Sequence, residues 1–462
     1  LQKNIKDADV RTRMKHMIVA AMILFFAAPL PLAAQQRGAS FIRDAEIEDT
    51  IRVISTPLFQ QAGLSPAAID VYLINDDSLN AFVAGGLNMF LHTGFLVSTT
   101  DIGEVMGVIA HETGHIEGGH LAARKAEIED LKDQLLATYV LGLGAAILSG
   151  NPGVGTAATL ATQDAMLRGL LRYNRGQEAS ADQAAVRLLQ GAGYSPSGLL
   201  NFMKVLHGQE ALLSSSQDPY LRSHPLTQDR MTYLAESVQE SPYRSKPFPP
   251  DLVERYQRMK AKLVGFLKPM HIVERQYPQS DASIAARYAR AIAQYRNGSI
   301  DTALEQIEAL IQSEPGNPYF WELKGQVLYE NGRINESIPP YEEATRLAPD
   351  SALLRIGLAA ALLQLPGNDL VPSARDHLYE ALKQEDDNPT VWRYLAIAEG
   401  RLGNTGLAAL SLAEAAWARG NAKETRDQAE RAQKLLDNGT RGKLRAEDLQ
   451  RFAENELKKK KN

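Results

Sequence analysis

Between Phe41 and Leu64 charged and apolar residues alternate at helical spacing. Phe41, Ala45, Glu48, Ile51, Ile54 and Leu58 outline an amphipathic helix that ends near Gly63. Val71-Tyr72-Leu73-Ile74 then reads as a short strand, and Ala81–Ala84 with Asn88–Leu91 as a hairpin turning on Gly85-Gly86. Helical spacing returns over Ile102–Arg124, with Asp101 placed to cap it. Leu131–Leu148 and Thr156–Tyr173 continue as helices, the first strongly apolar toward its end, and Ser149-Gly150-Asn151-Pro152-Gly153 separates them. They read as buried core helices, with a membrane-surface or substrate-facing flap as the alternative. Gln177–Gly191, Ser195–Leu206 and Gln228–Val238 follow as helices, with an irregular loop over 208–228. Ser241-Pro242 and Lys246-Pro247-Phe248-Pro249-Pro250 interrupt the pattern. Proline at this density predicts no regular structure, so 246–280 reads as a connecting segment between two domains.

The last third of the chain repeats. Trp321 and Trp392 each stand three residues after a proline, Pro318 and Pro389. From Pro318 the row runs Trp321, Gly325, Leu328, Ser337, Tyr341, Ala344, Pro349, the tetratricopeptide pattern of small and aromatic positions on two packed helices. Trp392, Ala396, Ala408, Leu412 and Ala415 repeat it, and Ala303, Ile307, Leu310 and Pro315 fit a preceding half unit. Ala374, Leu378 and Ala381 fit another, displaced by Leu365-Pro366-Gly367-Asn368. About four repeats are expected in 281–436, against the alternative of a generic helical bundle. The tail, 437–462, ends in a lysine run and reads as a solvated charged end.

With 462 residues, two or three domains are expected. A net charge of −5 argues against a nucleic-acid binder. The chain has no cysteine, so no disulfide can form and any metal must sit on nitrogen and oxygen ligands. Met14-Lys15-His16, the apolar run Met17–Ala28 and the small residues up to Ala34 have the layout of a secretory signal peptide, and an uncleaved anchor is the alternative. Residue 1 is Leu and Met14 makes a better start, so 1–13 read as an over-extended frame or a remnant within a leader spanning 1–34.

One pentapeptide names a chemistry. His111-Glu112-Thr113-Gly114-His115 puts two imidazoles four residues apart on one helix face, where both can bind one Zn²⁺, with Glu112 beside them as a base. A catalytic zinc needs a third protein ligand. Glu178, in Glu178-Ala179-Ser180-Ala181-Asp182, is the sharpest candidate, with Asp182 on the same face able to accept from the remote nitrogen of a ligand imidazole. The alternative is an acidic helix start favoured by the dipole. His120 lies about half a turn round an uninterrupted helix from His111, so it reads as a structural or supporting residue.

HETGH followed by Glu178-x-x-x-Asp182 resembles the gluzincin peptidases related to HtpX and the CAAX prenyl proteases. With the signal peptide and the repeats, nearly all of the mature chain resembles the BepA-like periplasmic proteases of Gram-negative bacteria. The resemblance implies a mainly α fold: a helical zincin-type peptidase domain with a small β-sheet over 35–245, then a tetratricopeptide α-solenoid. It implies one Zn²⁺ per chain on His111, His115 and Glu178, and Glu112 as general base. It also implies that His224, in Ser223-His224-Pro225, lies near the active site, there either stabilising the oxyanion or filling the fourth zinc position at rest, with Arg230 in support. The segment Asn80–Phe95, including strand Asn88–Gly94, is a candidate to hold substrate by its main chain; His92 is not expected to bind metal. The implied location is the periplasm. The implied partners are unfolded or stalled outer-membrane proteins as substrates and the outer-membrane assembly machinery, reached through the repeats. A peripheral membrane contact is left open, and nucleic acid is not expected. The alternative function is a chaperone or adaptor in which proteolysis is secondary.

Overall fold

The computed structural model describes residues 41–84, 86–120, 175–210, 220 and 223–459. The leader and the two apolar stretches 131–148 and 156–173 lie outside the described residues, as does most of the 208–228 loop.

The described residues open with a two-residue strand rather than with the helix expected from Phe41. Strand β1 (Phe41–Ile42) precedes α1 (Ala45–Gln61). Asp44 decides the boundary: its extended backbone cannot continue a helix, and its carboxylate accepts from the amides of Glu46 and Ile47 at 3.0 Å each. Strands β2 (Asp70–Ile74), β3 (Ala81–Ala84) and β4 (Asn88–His92) complete a sheet in the order β1-β2-β4-β3. β2 runs parallel to β4; the other two pairs are antiparallel. Leu73, Ala81, Val83, Met89 and Leu91 are buried in the core with Ile47, Ile51, Ile54 and Leu58 of α1. β4 is therefore an inner strand, paired on both sides, and cannot offer its main chain to a substrate as the sequence suggested. The edge strand beyond it is β3. Thr93 and Gly94 leave the strand altogether and begin the short helix α2 (Thr93–Ser98).

Helix α3 (Ile102–Glu117) is capped by Asp101, whose Oδ1 accepts from Gly103 and Glu104 at 2.7 and 3.2 Å. It is wholly buried as far as His115. Two helices press on it: α4 (Arg175–Gly191) and α5 (Ser197–Glu210). Glycines set the spacing. A Cβ on Gly107 would lie 2.5 Å from the amide nitrogen of Leu199, and one on Gly114 would lie 2.9 Å from the carbonyl of Ala181. Helix α6 (Gln228–Glu240) follows, capped by Thr227.

The proline-rich stretch is not an irregular connection. Pro250 stands at the first position of an 18-residue helix, α7 (Pro250–Leu267), where a missing amide costs nothing, and α8 (Met270–Gln276) follows. The repeats then run as helix pairs: α9 (Ile284–Arg296) with α10 (Ile300–Ser313), α11 (Pro318–Glu330) with α12 (Ile334–Leu347), α13 (Ala352–Gln364) with α14 (Val371–Ala381), and α15 (Pro389–Arg401) with α16 (Thr405–Ala418). A fifth pair, α17 (Ala422–Leu435) and α18 (Arg441–Lys459), takes in the tail read as a solvated end. Ala446, Leu449 and Ala453 of α18 are buried against that pair's neighbours, a narrow stripe hidden among charges. Asn317-Pro318 and Asn388-Pro389 are N-cap and first helical residue in both tryptophan-bearing repeats, and Tyr341 packs where a Cβ on Gly325 would come within 2.9 Å of its ring.

Helix α1 is shared between the two halves. Its acidic side meets α7, α9 and α11: Lys262 Nζ lies 2.8 Å from Asp44 and 3.4 Å from Glu322, while Arg258 and the Tyr288 hydroxyl reach Glu46 at 3.1 and 2.9 Å. Tyr319 donates to Asp49 at 2.9 Å. The array thus packs directly on the N-terminal half. Among the described residues no helix is long and apolar enough to cross a membrane.

Candidate metal centre

The site is built where α3, α4, α6 and the segment ending at His224 meet. Helix α3 supplies His111, Glu112 and His115; α4 supplies Glu178 and Asp182 one turn apart; Arg230 comes from the first turn of α6. All of these are buried.

Four donor atoms converge. His111 Nε2 lies 3.2 Å from His115 Nε2 and 3.4 Å from His224 Nδ1. Glu178 Oε1 is 3.0 Å from His224 Nδ1 and 3.3 Å from His115 Nε2. Ligands at about 2.0–2.1 Å from a tetrahedral ion stand about 3.3–3.4 Å from one another. These four separations match the edges of a tetrahedral shell, and all four atoms, three imidazole nitrogens and one carboxylate oxygen, lie within 4.8 Å of one another. His92 and His120 are outside it.

Around these four the remaining groups hold the set in place. Asp182 Oδ1 stands 2.9 Å from His111 Nδ1, the nitrogen turned away from the cluster. Arg230 grips Asp182 through Nε and Nη2 at 2.6 and 2.9 Å, reaches Glu178 Oε2 at 2.6 Å, and donates to the carbonyl of Pro225 at 3.0 Å. One guanidinium thereby fixes α4 and the loop of His224 together. Tyr220 stacks on the His224 ring at 4.5 Å and 25°, and its carbonyl accepts the His224 amide at 2.7 Å. Phe202 meets Tyr220 edge-on, and Phe95 meets Phe202 in the same way.

Electrostatics favour a cation. With the imidazoles neutral, as metal ligation requires, ionised Glu112, Glu178 and Asp182 set three negative charges against the positive charge of Arg230. Burial alone would discharge the His111 imidazole, but Asp182 and Glu178 overcome it and push its pKa up to about 9. Burial works against charge on Glu178 as well, yet His224, His111 and His115 hold its carboxyl far below the usual range. His115 is driven down, mainly by burial. Glu112 is pushed up by burial, opposed by His224 and His111. Both its oxygens are buried without a hydrogen-bond partner among the described residues, and Oε1 stands 3.4 Å from His224 Nε2. An orphaned carboxylate beside a ready-made ligand shell is a group waiting for something with protons to give.

The structure gathers every site residue singled out in the sequence, and changes the account of two. His120 is expected to be a structural or supporting residue, turned away from the metal by a continuous helix; the supporting role fits, but the helix does not continue. Instead α3 ends at Glu117, the chain reverses at Gly119 (φ +62°), and His120 Nδ1 comes back to 2.9 Å from His115 Nδ1. It supports His115 from behind. Arg230 was expected to serve His224; it serves Glu178 and Asp182 first. Tyr220 was missed, because a lone tyrosine in a polar loop carries no periodic signal.

Residues 42–238 match the family described as Peptidase family M48, and residues 288–352 match a tetratricopeptide repeat. The chain is similar to "Beta-barrel assembly-enhancing protease" of Escherichia coli (strain K12), 27% identical over 80% of this chain and 75% of that one. The protein of the same name from Yersinia pestis is 26% identical over 71% of this chain and 67% of its own length. "Metalloprotease LoiP" of Escherichia coli (strain K12) is 27% identical over 42% of this chain and 72% of its own. The chain thus joins a peptidase family M48 domain, with its buried ligand shell, to tetratricopeptide repeats, and it is a metalloendopeptidase.

Proposed function

We propose that this chain is a zinc-dependent endopeptidase of the periplasm that acts on outer-membrane proteins during their assembly. The observation that carries the chemistry is the tetrahedral convergence of His111, His115, Glu178 and His224 beside the orphaned carboxylate of Glu112. An N₃O donor set without sulfur suits zinc. The relatives' name, Beta-barrel assembly-enhancing protease, supports the substrate class, and the signal-peptide layout of Met14–Ala34 supports the place.

In this reading His111, His115 and Glu178 hold the ion. A bound zinc ion would polarise the scissile carbonyl and make water acidic enough to be deprotonated near neutrality. Glu112 takes that proton at its carboxylate and passes it to the leaving amine. Asp182 keeps His111 in the tautomer whose Nε2 faces inward, and Arg230 keeps Asp182 and Glu178 aligned. His224 fills the fourth position at rest, since its Nδ1 faces the other donors rather than open space; it must swing aside to admit substrate. The substrate's main chain pairs with β3, the edge strand packed against α3.

The test is a digest of casein by protein of known metal content. One zinc per chain and digestion that stops with chelator and returns with zinc are expected; digestion indifferent to chelation would overturn the reading. A chaperone or adaptor role is the second reading, favoured by the long repeat array. It is separated by E112Q in the full chain, which should lose cleavage and keep partner binding. Deleting 281–462 would not separate them, because it strips Tyr288, Tyr319 and Glu322 from the buried charges of α1.

A further inference from the structure

Four aromatic rings cross the outer face of the sheet. Phe41, Tyr72, Phe90 and Phe82 stand on β1, β2, β4 and β3, in the spatial order of the strands. Tyr72 and Phe82 are both register partners of Phe90, so the pleat sends all three to one side. Phe41 meets Tyr72 edge-on at 5.8 Å, Tyr72 stacks on Phe90 at 5.2 Å, and Phe90 on Phe82 at 4.9 Å. The sheet's other face is the core. An outer face of this kind is normally polar. Here it carries a continuous row of rings, half-buried except for Phe41, which is 54% exposed.

The row connects two places. At one end Phe41 and Tyr72 form a wall of a groove of about 1330 Å³ between the sheet and the repeat array. Asp70, Asp350, Asp386 and Asp387 line that groove and enter no ion pair among the described residues. Its arginines are engaged: Arg43 with Glu48 and Glu385, Arg52 and Arg255 with Asp49. At the other end Phe82 lies on β3, the edge strand beside the metal helix.

We propose that the groove and the aromatic row form a docking track for an extended polypeptide segment in which aromatic side chains alternate with basic ones, leading it from the repeat array to the β3 edge. Unpaired carboxylates in the groove select lysine or arginine. The rings select aromatic side chains. An extended chain presents every second side chain to one face, about 6.6 Å apart, against ring separations of 4.9–5.8 Å along the row. Strands of membrane barrels alternate apolar with polar residues and carry aromatic residues in girdles. The inference rests on the peptidase reading above and gives it a substrate-recognition element.

The experiment uses full-length E112Q protein and three labelled ten-residue peptides, followed by fluorescence anisotropy. One alternates aromatic residues with lysine, one has the same residues in blocks, and one carries glutamate in place of lysine. The alternating lysine peptide should bind at least tenfold more tightly than the other two. Y72S/F90S should weaken it tenfold or more. D386N/D387N, on an exposed turn where folding is not at risk, should weaken it several-fold and reduce its salt dependence. Equal binding of the blocked peptide, or unchanged affinity in D386N/D387N, would overturn the track. Chelator-insensitive digestion of casein by the wild type would instead overturn the peptidase reading, so the two fail separately.

Discussion

Around His111 and around Lys262 the protein buries clusters of ionisable side chains of similar size, and they are assembled on opposite rules. At Lys262 each charge meets its opposite: the ammonium faces Asp44, Glu322 and Glu46, and Glu46 also receives Arg258 and the Tyr288 hydroxyl. At His111 the nitrogen and oxygen atoms converge on one another, with two imidazole nitrogens 3.2 Å apart and the carboxylate of Glu112 without a hydrogen-bond partner among the described residues. Shifted protonation does not separate the two. Burial raises Glu46 and pushes Glu322 up to about 7, just as it raises Glu112. What separates them is completion. A network that satisfies itself holds structure together; one whose lone pairs converge on a point requires a guest.

The sharpest way to break this contrast is to remove the orphan. E112Q should lower turnover of a peptide substrate by about 10²–10⁴-fold, the usual worth of a general base, with metal content and melting unchanged. A fall of less than threefold would remove Glu112 from the chemistry. The corresponding change at the satisfied cluster is K262M. It leaves the buried carboxylate of Glu46 and the half-buried ones of Asp44 and Glu322 without their ammonium and should destabilise the protein by about 3–5 kcal/mol in urea titration, with zinc stoichiometry intact. If zinc is lost instead, the clusters are not independent. D182N should raise the zinc dissociation constant about 10–100-fold in a competition titration, whereas E322Q should leave it unmoved.

The smallest effect is in pH. Glu322 is raised from 4.5 to about 7, chiefly by burial, with Lys262 opposing and Asp44 and Glu46 adding to the rise. A raised acid binds its proton more tightly in the folded state, so its contribution is full below about pH 4.5 and is lost as pH rises through about 7. Urea midpoints should therefore fall between pH 5.5 and 8, and E322Q should flatten that slope. A slope unchanged in E322Q would assign it to another group.

His111 and His115 were legible because a helix period and a ligand geometry coincide; Glu178 and Asp182 share a face in the same way, but that left an acidic helix start as an equal reading, and the resemblance to the gluzincin peptidases is what implied Glu178 as a ligand. The repeats were readable for a related reason, since Asn-Pro starts and small-residue contacts such as Gly325 against Tyr341 recur at fixed intervals. What failed was whatever local rules leave ambiguous. Proline at 249 and 250 can end regular structure or begin a helix, and only packing of α7 on α1 and α9 decides. The α18 stripe of Ala446, Leu449 and Ala453 is too thin to stand out among lysines and glutamates. The inner position of β4 is a matter of pairing across the sheet, which periodicity does not report. The wheel argument against His120 was sound for a helix that continued, but Gly118-Gly119 ended it.

Helix α1 has a consequence for the order in which the molecule is made. The carboxylate of Glu46 finds its partners Arg258 and Tyr288 only 212 and 242 residues further along the chain. At synthesis rates of about 5–20 residues per second, Tyr288 emerges roughly 12–50 s after Glu46. Until then the helix that supplies Ile47, Ile51 and Ile54 to the peptidase core must keep Glu46 and its neighbours in water. Closing the N-terminal half over Glu46 therefore depends on Arg258 of α7 and Tyr288 of α9, which ties the burial of α1 to the presence of the first repeat.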